Sequence, residues 1–121
     1  MKNLSIIFNS IGNLTDTSLV TLQAILKQNK EFFNSEEVKQ SANIKDGRLL
    51  GSTLSAISKQ TIEDQPLIEP FGKKSLKVKR RRGEELVTVS MPVQVWRLNK
   101  NLLENKEEII KRIEEILKIL I

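Results

Sequence analysis

The sequence predicts an α+β fold, mostly α, with a helical body, one long β-hairpin and a terminal helix. Three observations predict it. Apolar residues recur at helical spacing in five segments, the last running to the end of the chain. Between residues 67 and 98 the spacing changes to strict alternation, the mark of half-buried strands. Capping and turn residues stand at the borders of these segments. With 121 residues the chain is expected to be a single domain, long enough to bury a core without disulfide or metal staples. Its parts are an N-terminal helix within 1–14, a central unit over 15–98 and a C-terminal helix over 99–121.

Leu4, Ile7, Phe8 and Ile11 fall at i, i+3, i+4 and i+7, which predicts a short amphipathic helix over 2–12 ended by Gly12-Asn13. Thr15 or Asp16 can cap the next helix, whose inner face is Leu19, Leu22, Ile25 and Leu26. Phe32 and Phe33 follow in a short connection, as core residues or a one-pair strand. Asn34 and Glu37 have the spacing of a capping box, and Glu36 and Glu37 put acids in the first turn of a helix that runs to Ala42. Asp46 can cap a further helix over 47–60. Its Leu50, Leu54 and Ile57 lie within about 60° of one another, and Arg48, Ser52, Ser55 and Lys59 cluster as tightly on the opposite side. No acid occurs from Gly47 to Ile62, whereas a solvated helix face usually mixes Glu with Lys.

Glu63-Asp64-Gln65-Pro66 breaks that helix. Leu76 and Val78 alternate, as do Val87, Val89 and Met91, then Val93 and Val95. A turn centred on Arg82-Gly83 would pair Leu67 with Leu98 and Glu69 with Trp96, making 67–98 a single hairpin. Pro70 and Pro92 each remove a ladder hydrogen bond, so irregularity is expected at both. Trp96 reads as a packing residue of the hairpin or core. Asn99 or Asn105 caps the last helix, on which Ile109, Ile113, Ile116 and Leu120 recur with Leu117 beside them. The stripe suits the seam of a homodimer; the alternative is a helix folded back onto its own domain.

Charge and composition narrow the function. The chain has no Cys and no His, which removes thiolate and imidazole metal sites, Cys nucleophiles and the usual general base. Neither an enzyme nor a cofactor or metal is expected. The paired acids at 36–37, 84–85, 107–108 and 114–115 are adjacent in sequence and point apart. Gly72-Lys73-Lys74-Ser75 lacks the Gly that a phosphate-binding loop needs at position 67, where Leu stands. The net charge of +5 is concentrated: residues 73–82 hold seven cations and no acid, leaving 13 basic against 15 acidic residues elsewhere, a net of −2. Lys73, Lys74, Lys77, Lys79, Arg80, Arg81 and Arg82 thus form a basic projection on a slightly acidic body, which points to a polyanion. The apolar stretch of the N-terminus is broken by Asn9 and Ser10, too short for a signal peptide or a span, so a cytoplasmic protein is expected.

The order helix, short link, helix, turn, helix, long hairpin, helix over 15–98 resembles the winged helix-turn-helix of MarR-, ArsR- and PadR-like regulators. FFNSEEVKQSANIKDGRLLGSTLSAISKQ resembles its helix–turn–helix, PLIEPFGKK its first wing strand, and VWRLNKN its second strand returning into a final helix. The resemblance implies double-stranded DNA as partner, with the helix at 47–60 in the major groove and the wing on the backbone or in the minor groove. Arg48, Ser52, Ser55 and Lys59 would then face bases and phosphates, and the wing cations the backbone. It also implies a homodimer, associated with the nucleoid. The wing is longer than in most such proteins, and Asp46 beside DNA would be mildly repulsive. Two other functions fit the same charge pattern: an architectural or partition protein with little sequence preference, and a winged-helix module that meets an acidic protein.

Overall fold

The computed structural model describes residues 4–120, without the side chains of Val78, Ile119 and Leu120. The fold is α+β, about half helical, with antiparallel sheet. The chain order is α1 (Leu4–Gly12), α2 (Asp16–Lys27), β1 (Phe32–Asn34), α3 (Ser35–Ser41), α4 (Gly47–Ser58), β2 (Thr61–Ile62), β3 (Gln65–Pro66), β4 (Ile68–Arg82), β5 (Glu85–Leu98), α5 (Lys100–Glu104) and α6 (Lys106–Leu120).

The helices begin where side chains satisfy their first amides. Thr15 caps α2 by accepting from the Ser18 N–H. Asn34 and Glu37 form the full capping box of α3: Asn34 Oδ1 accepts from the Glu37 N–H at 2.9 Å, and Glu37 Oε1 accepts from the Asn34 N–H at 3.1 Å. Burial pushes the Glu37 pKa up. The Lys30 hydrogen bond, the Asn34 N–H and the charges of Lys30 and Lys74 outweigh that and hold it below the ordinary carboxylate value. Asp46 caps α4 by accepting from the Arg48 N–H at 2.8 Å.

One apolar cluster draws on all six helices. Ile7 and Ile11 of α1, the four inner residues of α2, Val38 of α3 and Leu50, Leu54 and Ile57 of α4 meet Phe33, Ile68, Trp96 and Leu98 of the sheet. The Ser10 hydroxyl donates to the Thr61 carbonyl at 2.6 Å and joins α1 to β2. Trp96 is buried, and its indole Nε1 donates to Ser35 Oγ at 3.2 Å.

The terminal helix differs from expectation in two ways. It is divided: Asn99 caps α5, and Asn105 stands at the C-terminal end of α5, where its side-chain amide donates to the Asn101 carbonyl at 2.8 Å. Ile109 and Ile113, expected at a homodimer seam, are fully buried in this chain's own cluster, where α6 packs on α2 and α1. The fold-back alternative holds for these two positions, because the inner faces of α1 and α2 already cover them. Ile116 and Leu117 are half-buried against the same cluster. The side chain of Leu120 lies outside the described residues.

The sheet has the order β1-β5-β4, with both pairings antiparallel. Its long hairpin is offset from the expected register. The turn is Gly83-Glu84, so Arg82 pairs with Glu85, Lys79 with Thr88 and Lys73 with Gln94. Gly83 has φ +61° and Glu84 has no left-handed φ, which is the geometry of a loop with glycine at its first central position. At the base, Ile68 rather than Leu67 faces Leu98, and Pro70 rather than Glu69 faces Trp96. The break in register lies between Pro70 and Lys73, where Gly72 takes φ +101° and the proline has no amide to give. Pro92 pairs with Ser75 without a shift. Leu67 instead closes the hairpin's base, its N–H donating to Gln60 at 3.0 Å and its carbonyl accepting from Asn99 at 2.9 Å. Between α4 and β4, Glu63 and Asp64 both adopt left-handed φ, of 51° and 68°, and turn β2 into β3 as a miniature hairpin.

Candidate nucleic-acid interface

The first component is the outer face of α4. Leu50, Leu54 and Ile57 fasten the helix to the core, and Thr53 is buried beside them. Opposite them Arg48, Ser52, Ser55 and Lys59 are all exposed, on the single face that helical periodicity assigns. Lys59 is the C-cap, where its charge meets the negative end of the helix dipole. The Ser52 hydroxyl donates to the Leu49 carbonyl at 3.1 Å and keeps its acceptor lone pairs outward. A Cβ at Gly51 would meet nothing within 4 Å, so this surface is open. Leu49, 46% exposed, also stands there and was not singled out by the sequence pattern.

The second component is the arm formed by the distal hairpin. From Lys73–Gln94 to Arg82–Glu85 it runs for ten consecutive pairs, which at about 3.3 Å per residue is about 30 Å. No residue of this stretch whose side chain is described belongs to the central apolar cluster. All seven cations are exposed, and among the described residues none of them forms an ion pair.

Pairing fixes which cations share a face, because residues directly opposite in an antiparallel ladder point to the same side. One face carries Lys73, Lys77, Lys79 and Arg81, opposite Gln94, Ser90, Thr88 and Leu86. The other carries Lys74, Arg80 and Arg82 around an apolar strip in which Val87, Val89 and Met91 are half-buried and Val93 is buried. Arg80 lies along that strip, with Nη2 at 3.3 Å from Met91 Sδ. Thus Lys73, Lys77 and Lys79 stand opposite amide or hydroxyl groups and Arg81 opposite Leu86, while Lys74 and Arg80 stand opposite valines and Arg82 opposite Glu85. The polar partners Gln94, Ser90 and Thr88 were not among the sequence candidates, because only the register brings them beside lysines.

The base of the arm is braced to the body. Gln94 Nε2 donates to the Gly72 carbonyl at 2.7 Å and spans the bulge. The Phe71 ring meets Phe32 at 4.9 Å between centroids, tilted by 54°. The Arg97 guanidinium lies 5.9 Å from the Phe32 centroid and pairs with Glu31 at 3.2 Å and Glu69 at 3.9 Å. These contacts couple the arm to β1, and β1 leads directly into α3. The cationic arm and the exposed face of α4 are thereby held on one body.

Among the described residues no group of three or more His, Cys, Asp or Glu is placed to hold a metal ion, and no helix is long and apolar enough to cross a membrane. Comparison of the chain with protein-family models, curated proteins and solved structures finds no match.

Proposed function

We propose that this chain is a double-stranded DNA-binding protein of winged helix-turn-helix build, acting as a small transcriptional regulator at the nucleoid. The observation that carries the reading is the arm: seven exposed cations, without ion-pair partners among the described residues, against two acids at its turn, Glu84 and Glu85, on a hairpin attached to a body of no net charge. The topology supports it. The elements α2, β1, α3, α4 and the hairpin occur in winged-helix order, with the short strand β1 on the returning strand β5. On this reading α4 enters the major groove, Arg48 and Lys59 contact phosphates at the two ends of the helix, and Ser52 and Ser55 face base edges between them. The arm cations follow the backbone or the adjacent minor groove. A homodimer on this reading would use Ile116 and Leu117 on α6, since Ile109 and Ile113 are already covered.

The test is selection of duplexes from a random pool with the wild-type chain and with Ser55→Glu. The wild type is expected to enrich a defined site. Ser55 is exposed, so the variant keeps its helical circular dichroism. A carboxylate against bases and phosphates should cost specific binding more than about a hundredfold. Binding without any enriched sequence would favour an architectural or partition protein, which differs in specificity ratio and not in contacts.

A further inference from the structure

Among the described residues Leu86 is the most exposed of the large apolar side chains, at 65%. It sits one residue beyond the first pair of the hairpin, directly opposite Arg81. The pairing puts it on the face that carries Lys79 and Arg81, with Thr88 next along its own strand. The other apolar residues of β5 in the arm lie on the opposite face, Val87, Val89 and Met91 half-buried and Val93 buried. The leucine is therefore not part of the strip that gives the arm its internal packing. It is an isolated apolar group near the tip of an arm about 30 Å long, with Lys79 and Arg81 beside it on its face and the acids Glu84 and Glu85 preceding it at the turn.

A polyanion-binding surface gains little from a lone exposed leucine unless the polyanion offers an apolar slot. Duplex DNA offers one between stacked base pairs, reached from the minor groove. The geometry of the tip favours that slot. Its two strands are about 4.8 Å apart before side chains are added. The minor groove of B-DNA is only about 6 Å wide. The ribbon enters only if the groove opens, and prying a base step apart opens it by bending the duplex toward the major groove.

On the DNA-binding reading above, we infer that Leu86 is a wedge that inserts between base pairs in the minor groove and kinks the duplex, while Lys79 and Arg81 hold the flanking phosphates. The protein is thus a DNA-bending protein as well as a DNA-binding one. Pyrimidine–purine steps, which unstack most easily, are the preferred place of insertion.

The experiment uses a 30-bp duplex with a central TA step and a donor and acceptor dye at its two ends. Energy transfer reports bending, and anisotropy on the same samples reports binding. The wild type is expected to raise energy transfer on saturation. Leu86→Ala should leave energy transfer at the value of free DNA, keep affinity within about fivefold and keep the salt slope, because no phosphate contact is removed. Leu86→Met should restore the bend, since a thioether of similar volume still fills the step. Equal bending by wild type and Leu86→Ala, or saturable binding by the wild type without bending, would overturn the wedge and leave the DNA-binding reading standing. Absence of binding by the wild type would overturn both.

Discussion

Replacing Arg80, Arg81 and Arg82 together with alanine is expected to weaken duplex binding about a hundredfold near 0.1 M salt, on the basis of about 1 kcal/mol for each lost cation. The same change should make the slope of log K against log[salt] shallower by about 2.7, since each phosphate contact releases about 0.9 of a counterion. Folding should be little affected. All three arginines are exposed, stand apart from the central cluster and are without ion-pair partners among the described residues. The loss should be nearly uniform across DNA sequences, because these groups meet the backbone and not base edges. Unchanged affinity with an unchanged slope would remove the arm from the interface.

Ile113→Ala is expected to destabilise the fold by about 3 kcal/mol, measured by urea denaturation with the slope m unchanged. Ile113 is fully buried where α6 packs on α1 and α2, so truncation leaves a cavity that three helices border. The loss should be the same at micromolar and at hundredfold higher protein concentration. Were the residue at a subunit seam, the loss would depend on protomer concentration. A concentration-dependent loss would return Ile113 to an interface between copies.

The helices were legible because their signals are local. Asn34 and Glu37 announce α3 three residues apart, and Asp46 announces α4. The exposed face of α4 followed from the positions of Leu50, Leu54 and Ile57 alone, since burying one side of a helix exposes the other. The arm's register was less legible. A glycine can occupy either central position of a tight turn, and Arg82-Gly83 and Gly83-Glu84 differ only in which one is left-handed. The resulting error of two residues along the arm leaves every side chain on its face, so the arm's faces survive it. At the base the bulge at Phe71-Gly72 makes the offset one residue, and there the expected partners of Leu98 and Trp96 fail.

Other features had no local signal. Glu63-Asp64 is a two-residue turn made without glycine or asparagine, so it read only as a helix breaker. The stripe on α6 showed that Ile109 and Ile113 need cover, but an amphipathic pattern does not say which surface provides it. The inner faces of α1 and α2 do so, nearly a full chain length away in sequence. Leu86 was legible only in part. It stands beside a valine alternation that already puts it on the other face of its strand, and the pairing adds that its partner is Arg81.

Within the account, charge places the chain on DNA, α4 reads it and the arm extends and bends the contact. All of this rests on a cationic surface that faces a polyanion. The measurement that tests it most directly is fluorescence anisotropy of a labelled random 30-bp duplex, titrated with the wild-type chain at several salt concentrations. The account predicts binding that falls with a log–log slope of about −5 or steeper, from the arm cations together with Arg48 and Lys59. No binding at about 50 mM salt, or binding indifferent to salt, would contradict it.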